Sequence, residues 1–357
     1  MMGVLNHLST LLLLSLLPPA LSHVVKKFSD VPQCQNFFLE GTTPNIPGIL
    51  VDGTVQNQNR YKPICQLYNT MYRFATLYDT TNRIPVFSAY TFTGNVVGSK
   101  RPKNQTWMIE PQLENIKDRG EMKQSEHRSF KHQAMNADYY KNNMNMDRGH
   151  LFPCSYAPYN ATKNSTFTLT NAVPQARSFN RRSWKRMECR VRKYIVENST
   201  DNNNKIKAYV VTGAVPSNNN TLNNRVNIPD LMWTAYCCYN NNLKQWVAQA
   251  HWSKNVQDTK GKTLKPITLG ALERKLKNFY NDKVNVFAKK CPRTVILSVL
   301  EDETGRNRER VEQDETGRNR ERVEQDETGR NRERVEQGGT ERVEQDETGR
   351  NRESRTG

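Results

Sequence analysis

Apolar positions along the chain fall into two rhythms. Two runs, RFATLYD (73–79) and RIPVFSAYTF (83–92), are rich in aromatic and β-branched residues and flank Thr80, Thr81 and Asn82, which predicts a β-hairpin. IKAYVVTGAVP (206–216) and LKQWVAQAHW (243–252) have the same character and predict further strands. Between Ser178 and Glu197 the rhythm changes. SFNRRSWKRMECRVRKYIVE contains no Gly or Pro and sets Trp184, Met187, Val191 and Ile195 at spacings of three and four, the pattern of an amphipathic helix. A second helix is predicted over ALERKLKNFYN (271–281). Strands and helices without regular βαβ alternation point to an α+β fold with a largely antiparallel sheet and flanking helices.

The two ends do not share this patterning. LNHLSTLLLLSLLPPALS (5–22) is an apolar run broken by Pro18 and Pro19 and closed by Ala20 and Ser22, spaced as in an A-x-A-like cleavage site. Residues 1–22 therefore read as a signal peptide, with secretion to the extracellular space and no stable membrane association as the expectation. No Lys or Arg precedes the run, which leaves an uncleaved anchor as the alternative. From 301 to 357 the unit DETGRNRERVEQ recurs with period 12 from Asp302, Asp314 and Asp326 and returns truncated at Asp346. One Val per unit cannot build a stacked core, so a disordered C-terminal repeat tail is expected. Residues 23–300 remain for one domain.

Charge and cysteines narrow the function. The whole chain carries +17, whereas residues 301–357 hold 18 acidic and 13 basic residues, so residues 1–300 carry +22. Such a field favours polyanions: nucleic acid, heparin-like glycans or anionic lipid. Seven cysteines, Cys34, Cys65, Cys154, Cys189, Cys237, Cys238 and Cys291, show no C-x-x-C metal pattern and read as disulfide partners, the odd count leaving at least one thiol free or paired between chains. Five N-x-S/T sequons, at Asn104, Asn160, Asn164, Asn198 and Asn219, agree with a secretory route.

MNMDRGHLFP (144–153) sets an acid, a cation, a glycine and an imidazole side by side. Phosphodiester hydrolysis needs a base for water and cations for the charge developing on phosphate. His150, Arg148 and a divalent metal would supply them. A turn with a surface histidine and an Asp147–Arg148 ion pair is the plainer reading. Thirty residues on, Asn180, Trp184 and Glu188 stand four apart, on one helical face within about 80°. An amide oxygen and a carboxylate there suit magnesium, which takes few protein ligands and keeps several waters. Taken singly, Asn180 as a helix cap and Glu188 as an ion-pair partner would be the ordinary assignments.

DRGH (147–150), TNAVPQ (170–175) and N-x-x-x-W-x-x-x-E (180–188) together resemble the DNA/RNA non-specific endonucleases of the ββα-metal superfamily. RPKNQTWMIEPQL (101–113) and YVVTGAVP (209–216) are similar to further blocks of that family, and the resemblance spans about residues 34–295. It implies a ββα-metal fold and a magnesium or other divalent cofactor. It makes His150 the general base, Asn180 the direct metal ligand and Glu188 the group that holds metal-bound water. Arg148 would face the scissile phosphate and Arg101 would be the upstream arginine, with Lys103 its rival. Asp147 and Asn171 would be supporting residues. The implied partners are DNA and RNA, cut without sequence preference to leave 5′-phosphates. Arg181, Arg182, Lys185, Arg186, Arg190, Arg192 and Lys193 would track the phosphate backbone, and Trp184 reads as core packing. Two other classes compete: a non-catalytic secreted protein that captures nucleic acid or glycosaminoglycan, and a carrier domain for a functional tail.

Overall fold

The computed structural model describes residues 23–94, 101–103, 105–124, 129–140, 142–200, 205–259 and 263–294. The expected signal peptide (1–22) and repeat tail (301–357), and the sequon at Asn104, lie outside the described residues.

Strands β1 (Tyr61–Tyr68), β2 (Met71–Asp79) and β3 (Ile84–Phe92) form a meander. A separate ribbon follows, β4 (Met146–His150) with β5 (Ala172–Ala176). The chain passes from β5 directly into a helix, α1, built from Arg177–Phe179, a π turn over Asn180–Trp184 and a long segment Lys185–Asn198. β6 (Ala208–Val215), β7 (Leu231–Asn240), β8 (Gln245–Lys254) and α2 (Leu269–Tyr280) complete the fold. The main sheet is six-stranded in the order β8-β7-β6-β3-β2-β1, every pair antiparallel. The fold is α+β, and β4-β5-α1 is a ββα unit beside the sheet.

Alternation along the strands divides the core in two. Phe87, Ala89, Val211, Trp233 and Ala235 face the side closed by Leu269, Leu272 and Leu276 of α2. Tyr90, Phe92, Val210, Met232 and Tyr236 face the side closed by Met187, Val191 and Ile195 of α1. Trp184 is 1% exposed and belongs to this second core. Disulfides join Cys34 to Cys65 and Cys237 to Cys291, leaving Cys154, Cys189 and Cys238 as thiols. No helix among the described residues is long and apolar enough to cross a membrane.

Candidate active site

The β4-β5 ribbon pairs from Met146 opposite Ala176 to His150 opposite Ala172. Side chains alternate along a strand, so Arg148 and His150 leave β4 on one face and Asp147 on the other. Gly149, between them, fills a place no other residue fits. A Cβ there would stand 2.2 Å from Gln175 Oε1 and 2.5 Å from Gln175 Cβ.

The His150 ring packs edge-on against Phe167, with centroids 4.8 Å apart, and against Trp107 at 5.0 Å. Its Nε2 is buried and has no partner among the described residues. Burial, and secondarily the Arg101 charge, push its pKa down from 6.5 to about 3. The residue as a whole is half-buried. The Trp107 and Phe167 rings crowd the imidazole, and this burial favours its neutral form. Arg101 stands over Phe167 at 5.2 Å, so of the two upstream cations it is the one whose charge reaches His150. Lys103 is exposed. The Arg148 guanidinium lies 5.5 Å from the Trp107 ring and 5.3 Å from Tyr139, and donates to Asn136 O at 3.2 Å and Asn136 Oδ1 at 2.5 Å.

On the other face of β4, Asp147 accepts from Asn180 Nδ2 at 3.1 Å, Arg177 Nε at 3.1 Å and Arg181 Nε at 2.8 Å. An ionised carboxylate only accepts, so Asn180 must turn its NH₂ toward Asp147 and leave its Oδ1 pointing elsewhere. A hard cation needs an oxygen oriented in this way by an outer partner. Glu188 follows on the same helix, and burial raises its pKa from 4.5 to about 8 against the opposing pull of Trp184 and Lys185. Glu188 is half-buried, and without a cation its carboxyl favours the protonated form at neutral pH. It is also a group that a nearby cation would ionise. The residues present therefore fit a divalent ion.

The π turn changes the geometry expected of an uninterrupted α-helix. It takes in one extra residue, so Glu188 occupies the place that i+7 would hold from Asn180 on an ordinary helix. Two α spacings of four leave an offset of about 80°; seven residues leave about 20°. Asn180 and Glu188 thus align more closely than their spacing predicts.

Asn171 is fully buried and its carboxamide is saturated. Oδ1 accepts from Ser88 Oγ and Phe152 N, both at 2.9 Å, while Nδ2 donates to Phe152 O and Thr166 O, both at 3.0 Å. Asn171 thereby fixes the segment directly after His150. Arg181, Arg182, Lys185, Arg186, Arg190 and Lys193 are exposed along α1, and Arg192 is half-buried. Sequence reasoning missed the aromatic frame of Trp107, Tyr139 and Phe167. Trp107 lies within the RPKNQTWMIEPQL block, but nothing in its spacing reveals a contact with His150.

A family profile described as DNA/RNA non-specific endonuclease matches residues 53–286. The human Endonuclease domain-containing 1 protein is 32% identical over 213 residues, covering 58% of this chain and 39% of that protein. Its mouse counterpart is 32% identical over 214 residues, covering 58% and 38%. The chain thus spans well under two thirds of either relative. Among solved structures, a chain from the EndoG/EndoGI inhibition complex superposes with a TM-score of 0.45 at 17% identity, covering 59% of this chain and 84% of that one.

Proposed function

The chain belongs to the DNA/RNA non-specific endonuclease family, and we propose that it is a secreted, magnesium-dependent endonuclease hydrolysing DNA and RNA without sequence specificity. The observation that supports this reading is that β4 carries a His150 Nε2 with no partner among the described residues beside Arg148, while its Asp147 orients the amide of Asn180 on the helix that follows β5. The disulfides Cys34–Cys65 and Cys237–Cys291 support an oxidising, extracellular destination.

His150 takes the proton of the attacking water; its imidazole is neutral without substrate, and the negative charge of a phosphate beside it would favour the protonated form and strengthen it as a base. As water's oxygen bonds to phosphorus the P–O3′ bond breaks and the departing O3′ takes a proton from solvent, leaving a 5′-phosphate and a 3′-hydroxyl, while His150 returns its proton to solvent. Arg148 and Arg101 present positive charge to the phosphate, and Trp107 and Phe167 hold the imidazole in place. A divalent cation at Asn180 Oδ1, with Glu188 beside it, would supply further positive charge for the developing anion. The exposed cations of α1 hold the backbone without reading bases.

Purified protein incubated with supercoiled plasmid and with RNA tests this. Cleavage should need magnesium and stop with chelator, and His150→Ala should lose about 10²–10⁴-fold in rate, the usual contribution of a general base. Near-normal cleavage by His150→Ala would remove His150 from the mechanism. Binding without cleavage by the unaltered protein would establish the capture protein instead.

A further inference from the structure

Glu110 is fully buried, and so is His23. His23 Nδ1 accepts from Leu67 N at 3.1 Å, which puts the ring proton on Nε2, and Nε2–H donates to Glu110 Oε2. The other Glu110 oxygen accepts from Thr168 Oγ1 at 2.9 Å and Thr170 Oγ1 at 3.0 Å. The backbone of the same short segment is fastened independently: His23 N and Val24 N both donate to Gln112 Oε1, Cys65 N donates to His23 O, and Val25 N to Pro63 O. His23 is therefore built into the core rather than laid upon it.

What Glu110 grips lies next to the catalytic strand. Thr170 precedes Asn171, whose backbone oxygen accepts from Leu151 N at 2.9 Å and whose carboxamide binds both backbone groups of Phe152. Leu151 and Phe152 directly follow His150. We infer that His23 and Glu110 are positioning residues for His150, acting through Thr170 and Asn171, so that loss of the His23 imidazole, with its backbone still in place, removes most of the turnover. A buried carboxylate deprived of one donor does not stay where it was, because the unmet desolvation cost drives it toward another partner. Thr168 and Thr170 move with it.

This inference rests on the nuclease reading above, and its test separates the two. His23→Ala and Glu110→Gln are compared with His23→Gln, whose amide can still donate to Glu110 while its oxygen accepts from Leu67 N. Each is measured for kcat and KM on plasmid, for thermal midpoint, and for amide exchange at Leu151 and Phe152 against Trp233 in β7. His23→Ala and Glu110→Gln should lose about ten- to a hundredfold in kcat with little change in KM, the effect of roughly an ångström of misplacement. Exchange at Leu151 and Phe152 should quicken about tenfold with Trp233 unchanged, and His23→Gln should restore both readings. If Ala and Gln at position 23 behave alike, or exchange quickens everywhere together, the pair is structural only and the inference fails. Should His23→Ala not fold, Thr170→Val against Thr170→Ser gives the same readings. If the unaltered protein cleaves nothing, the nuclease reading fails, while the exchange arm still decides whether His23 and Glu110 position the segment after His150.

Discussion

At the scale of single residues, burial moves Glu188 up to about 8 and His150 down to about 3, and the two write opposite slopes into the pH dependence of stability. Stability rises with pH where the unfolded chain holds more protons, and falls where it holds fewer. Between about pH 3 and 6.5 unfolded His150 binds a proton that the folded ring refuses, so stability climbs. Between 4.5 and about 8 folded Glu188 keeps a proton that the unfolded chain releases, so stability declines. The thermal midpoint without added metal should therefore fall from pH 6.5 to 8, and Glu188→Gln should flatten that fall. Magnesium should raise the midpoint more at pH 8 than at pH 5, because it binds the ionised carboxylate. A magnesium effect equal at both pH values would take Glu188 out of the metal site. Asn180→Ala should lose cleavage mainly through metal affinity, with partial recovery at raised magnesium; no recovery at any concentration would give Asn180 a structural role.

At the scale of elements, the β4-β5 ribbon depends on Gly149. Gly149→Ala should destabilise the protein by about 1–3 kcal/mol, the range for overpacking, and Gln175→Ala in the same chain should recover only part of it, because it removes the Oε1 and Cδ that the new Cβ meets but leaves Gln175 Cβ 2.5 Å away. Denaturant unfolding of the single and double variants checks this. Elements with a clear signature were legible in the sequence: the hairpin predicted at 73–79 and 83–92 is β2–β3, and the helices predicted at 178–197 and 271–281 are α1 and α2 within a few residues. β7 was not read as a strand. Its sequence LMWTAYCCYN is buried on both faces, so the alternation that marks a half-exposed strand is absent. The π turn left no trace in the letters either, since it changes how residues are wound and not which they are. Of the site, the DRGH stretch and the Asn180 to Glu188 spacing were visible because they are local. The contacts of His150 with Trp107 and Phe167, and of Glu110 with His23, join residues far apart in sequence and required the fold.

At the scale of the whole molecule, charge sets how substrate is met. A domain at +22 that touches several phosphates releases condensed counterions on binding, so log affinity should fall with log salt by about 0.9 per phosphate contacted on duplex DNA. A flat salt response in a filter-binding titration would argue for a substrate other than a polyanion. The repeats carry a net −5, and a chain ended at Leu300 should keep full turnover while binding nucleic acid equally or slightly more tightly at low salt. Loss of turnover on that truncation would make the repeats part of the working domain.

The placement of the two disulfides also decides where a pull on the chain would be felt. Cys291 lies between α2 and everything downstream, and its bond to Cys237 lands on β7, one strand in from the sheet's edge. Tension applied through the repeats is passed to a covalent bond and from there to the sheet, sparing α2. The opposite end has no such fuse. His23 precedes Cys34, so a force on the N-terminal side reaches His23 before it reaches the Cys34–Cys65 bond. Pulled by its tail, the domain would pass the load to a covalent bond; pulled by its head, it would give way at His23 first.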